Sequence, residues 1–146
     1  MFKGHMRENI SEIFKVHINI AIDLPLYQCN VPAGFPSPAD DWLDKTLDLN
    51  DLLIVNPPAT FLMRVSGDSM KDAGILNGSI LVVDRSITPK FGMVVVASID
   101  NGLTVKRYAS GPFGPCLRAD NPDYRDILIT EDTTVWGVVK STITQF

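Results

Sequence analysis

Short apolar runs fill the second half of the chain, and turn-forming residues separate them. The runs are rich in β-branched residues, which is typical of strands. The predicted strands cover Phe61 to Ser66, Ser79 to Asp84, Met93 to Ile99, Leu103 to Tyr108, Cys116 to Ala119 and Val135 to Ile143. Among the turns between them, Asp100 to Gly102 is typical of a tight hairpin, and Asn121-Pro122 marks another turn. The pattern predicts a mostly β domain whose compact sheet curls on itself into a barrel-like shape.

The first part of the chain follows a different pattern. Apolar and polar residues alternate from Phe14 to Tyr27, which predicts one strand. The stretch from Val31 to Asp41 that follows is rich in proline, which removes amide donors and fixes φ. We therefore expect an extended, exposed connector there, the kind of segment where proteolysis concentrates. Residues 40–55 predict a short helical turn followed by a strand.

Composition narrows the function classes. The chain has 146 residues, of which 45% are hydrophobic and 21% charged, as in an ordinary soluble domain. Thirteen Lys and Arg against seventeen Asp and Glu leave a net charge of −4, which argues against strong direct binding of nucleic acid. No apolar run reaches the roughly 20 residues that span a bilayer, and the first residues lack the apolar core of a secretory signal. These features predict a cytoplasmic protein without a membrane anchor.

The cysteines and histidines limit the chemistry further. Cys29 and Cys116 have no CxxC spacing, so two reduced thiols are favoured over a single disulfide, and neither a metal site nor a cofactor is expected. His5 and His17 both precede Ala33, and residues 34–146 contain no histidine. That absence removes a Ser-His-Asp triad and a histidine metal site from the globular part. A hydroxyl nucleophile there needs a desolvated lysine or a carboxylate to activate it.

Two lysines and one serine are candidates for such chemistry. Lys106 and Lys140 both lie in apolar strands, where burial disfavours the ammonium form and favours a base at neutral pH. Either lysine could equally be solvated on an exposed strand face. Ser69 follows the Gly67 turn at the end of a predicted strand, which could project its hydroxyl beside neighbouring amides. The alternative for Ser69 is a polar surface turn.

The sequence around these candidates resembles a known family. The block FLMRVSGDSMKDAGILNGSILVVDRS is similar to the nucleophile region of the LexA-type self-cleaving proteases, and TVKRY is similar to their lysine strand. Ser69 and Lys106 are 37 residues apart, a separation that fits the family. Within it, GFPSPADD and LDLNDLLIVNPPATF resemble the UmuD-type accessory subunits of SOS translesion DNA polymerases. About 33 residues precede Gly34, fewer than the DNA-binding domain of a LexA repressor is expected to need.

The resemblance implies a role for each site residue. Ser69 would be the nucleophile and Lys106, rather than Lys140, the general base. The backbone amides of Asp68 and Ser69 would form the oxyanion hole. Self-cleavage between Ala33 and Gly34 would remove a flexible N-terminal arm, residues 1–33, from a peptidase domain, residues 34–146. The Ala-Gly bond departs from the Cys-Gly bond that is frequent in UmuD-type proteins.

The resemblance also implies partners. A homodimer is expected, with self-cleavage stimulated by RecA on single-stranded DNA, and with a UmuC-like Y-family polymerase as the later partner in the SOS response to DNA damage. Two alternatives stay open: a polymerase-binding module that does not cleave, and a self-cleaving regulator like LexA or a phage repressor. A signal-peptidase-like processing enzyme also uses a Ser–Lys pair, but it would need a membrane anchor.

Overall fold

The computed structural model of the chain describes residues 10–15, 23–27 and 43–146. In chain order, its elements are β1 (Ile10–Lys15), β2 (Asp23–Tyr27), β3 (Leu43–Asp48), α1 (Leu49–Leu53), β4 (Thr60–Val65), β5 (Ile80–Asp84), β6 (Val94–Ile99), β7 (Gly102–Gly111), β8 (Gly114–Arg118), β9 (Ile127–Leu128) and β10 (Thr133–Ile143). Single 3₁₀ turns cover Pro57–Ala59 and Lys71–Ala73. The chain divides into a larger unit, residues 1–16 with 56–146, and a smaller unit, residues 17–55.

The larger unit contains one antiparallel sheet of eight strands, in the order β1-β4-β5-β10-β6-β7-β8-β9. The prediction of a mostly β fold is therefore confirmed. The six predicted strands correspond to β4, β5, β6, β7, β8 and β10, with their ends shifted by up to three residues. Asp100 and Asn101 both have positive φ, 48° and 67°, so the predicted tight hairpin joins β6 to β7. The two-residue strand β9 was too short to show a pattern.

Both faces of this sheet are buried at strand β6. Val96 on β6 belongs to a core cluster with Met63, Leu81 and other buried residues, whereas its neighbours Val95 and Ala97 belong to a second cluster. Successive side chains of a strand point to opposite faces, so the core extends on both sides of β6.

The pairing of strand β10 shifts register at two places, against β5 between Val139 and Ser141 and against β6 between Val135 and Gly137. Bulges of this kind curl a sheet. Gly137 is needed at the second one, because a Cβ there would lie 2.7 Å from Val83 Cγ1.

The smaller unit pairs β2 with β3 in antiparallel fashion. Helix α1 follows β3 directly, and Asp48 caps it by accepting a hydrogen bond from the Asn50 amide at 2.9 Å. The predicted order of a helical turn and then a strand in residues 40–55 is therefore wrong, because the N-cap aspartate starts the helix after the strand.

The prediction of a single strand from Phe14 to Tyr27 is also wrong. Strand β1 ends at Lys15 and pairs with β4, whereas β2 begins at Asp23 and pairs with β3 in a different sheet. The two strands therefore hydrogen-bond to different partners. Periodicity alone does not reveal such a change of partner.

Several predicted features lie outside the described residues, namely Ala33, Gly34, Cys29 and both histidines. The boundary between residues 1–33 and 34–146 therefore stays a prediction. Cys116 is described, and it is a free, buried thiol. Within the described ranges, no helix is long and apolar enough to cross a membrane.

Candidate active site

Ser69 lies in the loop between β4 and the 3₁₀ turn at Lys71–Ala73. Gly67 opens this loop with φ 97°, and its amide donates to Asn77 Oδ1 at 2.9 Å. Met70 closes the loop: its side chain is 1% exposed within the core, and its carbonyl accepts from the Ile75 amide. The Ser69 side chain between these anchors is fully buried, at 0% exposure. The alternative of a polar surface turn is therefore wrong.

Lys106 lies on β7, where it pairs with Val95 of β6. Residues two apart on a strand share a face, so Thr104 and Lys106 project together. Lys106 is 1% exposed and is among the largest fully buried side chains in the described residues. Lys140, the other candidate, is exposed on β10. Packing thus separates two lysines that the sequence pattern treats alike.

The lysine nitrogen meets the serine hydroxyl. Lys106 Nζ lies 2.8 Å from Ser69 Oγ, 2.9 Å from Thr104 Oγ1 and 3.1 Å from the Val105 carbonyl oxygen. A buried amine in direct contact with a hydroxyl is within reach of its proton, which is the arrangement that activates a serine in the absence of histidine.

A turn at residues 121–124 supports the Ser69 loop. Asn121 Nδ2 donates to the Asp68 carbonyl at 3.0 Å, and the Tyr124 hydroxyl donates to Asp68 Oδ1 at 2.6 Å. Just before the turn, the Asp120 amide contacts Met70 Sδ at 3.2 Å, and the Asp120 carbonyl accepts from the Asp72 amide. The sequence indicated the Asn121-Pro122 turn but not its contacts with the serine loop. Those contacts join residues about 50 positions apart.

An ion pair links the segment just before this turn to the lysine strand. Arg107 follows Lys106 on β7, and its Nε donates to Asp120 Oδ1 at 2.9 Å. The hydrogen bond to Asp120 raises the pKa of the Arg107 guanidinium. Arg107 Nη1 also donates to the Gly92 carbonyl at 2.6 Å. The segment that holds the Ser69 loop is thus tied to the strand that carries the lysine.

The remaining predicted site residues are accounted for as follows. The amides of Asp68 and Ser69, predicted to form an oxyanion hole, belong to the loop that Asn121 supports, and their role stays a prediction. The predicted cleavage site at Ala33-Gly34 lies outside the described residues. Among the described residues, no group of three or more His, Cys, Asp or Glu side chains could hold a metal ion.

Comparison with known proteins identifies the family of this chain. The model of the peptidase S24-like family matches residues 25–140. This chain belongs to the peptidase S24-like family. It is 46% identical to protein ImpA of Salmonella typhimurium over 121 residues, which are 82% of each chain. It is 44% identical to protein MucA of Escherichia coli over 119 residues, which are 80% of this chain and 81% of MucA.

A LexA repressor from Shewanella woodyi is 39% identical over 99 residues, which are 68% of this peptidase S24-like chain and 48% of the repressor. The similarity therefore covers about half of the repressor but most of ImpA and MucA. The predicted resemblance to UmuD-type, LexA-like peptidases is confirmed.

Proposed function

We propose that this chain is a self-cleaving serine endopeptidase in which Ser69 is the nucleophile and Lys106 is the general base. One observation carries the proposal: Lys106 Nζ and Ser69 Oγ lie 2.8 Å apart, and both side chains are buried. The peptidase S24-like family match supports the same chemistry. Because residues 34–146 contain no histidine, the base must be a lysine or a carboxylate, and Lys106 is the group in contact with Ser69 Oγ.

The contacts of Lys106 suit a neutral amine, which has two N–H donors and one lone pair. Nζ lies within donor distance of Thr104 Oγ1, the Val105 carbonyl and Ser69 Oγ. Once the amine is neutral, its two N–H groups serve the first two acceptors and the lone pair is left for the Ser69 hydroxyl. Withdrawal from water favours the uncharged form of a lysine. The two donor contacts hold Nζ in place. Its lone pair then lies in line to accept the proton of the Ser69 hydroxyl.

The reaction then runs in two stages. Lys106 takes the Ser69 proton as Oγ forms a bond to the Ala33 carbonyl carbon, and the amides of Asp68 and Ser69 stabilise the resulting oxyanion. The Ala33–Gly34 bond breaks, and Lys106 gives its proton to the Gly34 amine. Water then hydrolyses the ester on Ser69 and releases residues 1–33. Tethering the substrate to the catalyst supplies proximity, so a modest catalyst suffices.

The similarity to ImpA and MucA supports a UmuD-like role in SOS mutagenesis. In this role the protein is a cytoplasmic homodimer, and RecA on single-stranded DNA stimulates its cleavage. The truncated form is then the accessory subunit of a UmuC-like Y-family polymerase that performs error-prone translesion synthesis. The intrinsic cleavage reaction is slow. A RecA filament would regulate it by changing the fraction of molecules in which the N-terminal arm is docked for cleavage.

A LexA-like self-cleaving regulator is the second candidate, favoured by the 39% identity to the LexA repressor. It shares the cleavage chemistry but not the polymerase partner. A polymerase-binding module without cleavage is distinguished from both, because it would stay intact during prolonged incubation with RecA, ATP and single-stranded DNA.

Intact-mass spectrometry before and after incubation tests the proposal, both with the RecA filament and at alkaline pH. We expect a new N-terminus at Gly34 in the wild type and no cleavage in Ser69→Ala or Lys106→Ala. Exposed residues of the same types provide matched controls, and Ser110→Ala and Lys140→Ala should be cut like the wild type. Loss of residues 1–33 from purified Ser69→Ala would overturn the assignment.

A further inference from the structure

The peptide unit between Asp68 and Ser69 is held from outside its own loop. Its carbonyl oxygen accepts one hydrogen bond from Asn121 Nδ2 at 3.0 Å and another from the Lys71 amide at 3.2 Å. The described residues contain no cis peptide bond, and in a planar trans peptide the C=O and N–H groups point in opposite directions. A contact that fixes the Asp68 carbonyl therefore also fixes the direction of the Ser69 N–H.

Asn121 is suited to be a directed donor. Its side chain is 3% exposed, and its Oδ1 accepts a hydrogen bond from the Asp123 amide at 3.0 Å. This contact defines which end of the side-chain amide carries the N–H₂ group, since a flipped amide would place Oδ1 against the Asp68 carbonyl. Pro122 at the second position of the turn restricts φ, and the Tyr124 amide donates to the Asn121 carbonyl at 3.2 Å. The donor is therefore presented by a rigid turn.

The same turn holds the Asp68 side chain. The Tyr124 hydroxyl donates to Asp68 Oδ1 at 2.6 Å, so Asp68 is fixed through its carbonyl and through its carboxylate. The Arg107–Asp120 ion pair ties the segment before the turn to the strand that carries Lys106. Asn121 differs from Tyr124 and Arg107 in one respect, because its side chain bonds to the carbonyl of the peptide unit that contains the Ser69 N–H, as the Lys71 amide also does.

We propose that Asn121 is a positioning residue that directs the Ser69 N–H toward the developing oxyanion by holding the Asp68 carbonyl on the opposite side of the same peptide. The inference rests on the proposed function, in which that N–H stabilises the tetrahedral intermediate. Asn121 acts through the Asp68–Ser69 peptide and does not contact the substrate. Its contribution is to keep the donor aligned before the reaction begins, so no reorganisation is needed as charge develops.

Two substitutions distinguish the loss of the Asn121 hydrogen bond to the Asp68 carbonyl from the loss of the contact that shapes the turn. Asn121→Asp keeps an oxygen for the Asp123 amide but loses the donor to the Asp68 carbonyl, whereas Asn121→Ala loses both contacts. Complete loss of an oxyanion donor costs about 10²- to 10³-fold in rate, so a misdirected donor should cost about tenfold to a hundredfold. We expect this fall in the first-order cleavage rate of both variants at alkaline pH. Asn101→Asp makes the same chemical change in the exposed hairpin, and it should cleave at the wild-type rate.

The pH dependence of the cleavage rate distinguishes a positioning role of Asn121 from general damage to the fold. The rise of the rate with pH reports proton loss from Lys106, which Asn121 does not hold. In Asn121→Ala the plateau rate should fall while the midpoint of the profile stays at its wild-type value. Circular dichroism identifies a temperature at which each variant is folded, and urea unfolding measures its stability. Cleavage rates are measured at that temperature.

Each outcome decides the proposal. If Asn121→Asp cleaves at the wild-type plateau rate while Ser69→Ala stays intact, the positioning role is wrong and the proposed function survives. The positioning role is also overturned if only Asn121→Ala is slow, if its midpoint shifts, or if neither variant folds, because Asn121 then has a structural role. Cleavage of Ser69→Ala would instead overturn the proposed function itself.

Discussion

Replacing Thr104 with valine tests the proposal that Lys106 is the general base. Valine has nearly the same shape, so the substitution removes one hydroxyl 2.9 Å from Lys106 Nζ and changes little else in a side chain that is 8% exposed. In the ground state, the lost hydrogen bond is one between neutral groups, with a typical contribution of about 0.5–1.5 kcal/mol. In the transition state of the proposed mechanism, Lys106 has gained a proton, and a hydrogen bond from a charged donor contributes about 1.5–3 kcal/mol.

Only the difference between these two contributions changes the rate. That difference is about 1–1.5 kcal/mol, which corresponds to a self-cleavage slower by about five- to thirteenfold. Stability should fall as well, by about 1–3 kcal/mol, because a buried N–H of Lys106 loses its partner.

First-order cleavage of Thr104→Val is followed by intact-mass spectrometry at a fixed alkaline pH, and its stability by urea unfolding of a Ser69→Ala background that stays uncut. Thr134→Val is the matched control, since Thr134 is exposed on β10. A folded Thr104→Val protein that cleaves at the wild-type rate would refute the idea that Lys106 gains charge while held by this hydroxyl.

Three further predictions concern pH, packing and the buried thiol. Cleavage should accelerate as the medium becomes alkaline, because Lys106 must be neutral; a rate that is flat from neutral pH to about pH 10, near the ordinary lysine value, would count against it as the base. Gly137→Ala should lower the free energy of unfolding by about 1–3 kcal/mol in a urea titration, because the new Cβ would lie 2.7 Å from Val83 Cγ1; an unchanged midpoint would contradict this. Burial, with the Asp126 carboxylate, raises the pKa of the Cys116 thiol, so its contribution to stability is present at neutral pH and lost as the pH rises above the ordinary thiol value. Urea unfolding at neutral and alkaline pH should show a larger loss in the wild type than in Cys116→Ala, and equal losses would contradict the raised value.

Local sequence determined most strands of the larger unit. β-branched runs and turn residues are short-range signals, and in the Asp100-Asn101 hairpin they agreed with the tertiary structure because the turn needs two residues with positive φ. Signals failed where two local tendencies competed. At Asp48 the cap began a helix after the strand, and between β1 and β2 the chain changed partner within what looked like one alternating pattern.

The candidate catalytic residues were also predicted partly from the sequence and partly from the tertiary structure. Composition alone required a base other than histidine in residues 34–146, and the pattern made Ser69 a candidate, but Lys106 and Lys140 both lay in apolar strands. The resemblance selected Lys106, and the structure buries it against Ser69 while Lys140 stays exposed.

Asn121 shows more clearly what local sequence patterns do not predict. Its turn is visible in the sequence, but the carbonyl that it holds is 53 residues away. Alternation and turn chemistry act over a few residues and determine which face of a strand a side chain occupies. Which loop meets that face depends on the order of strands in the sheet and on the packing between them, and these contacts form only when the whole chain folds.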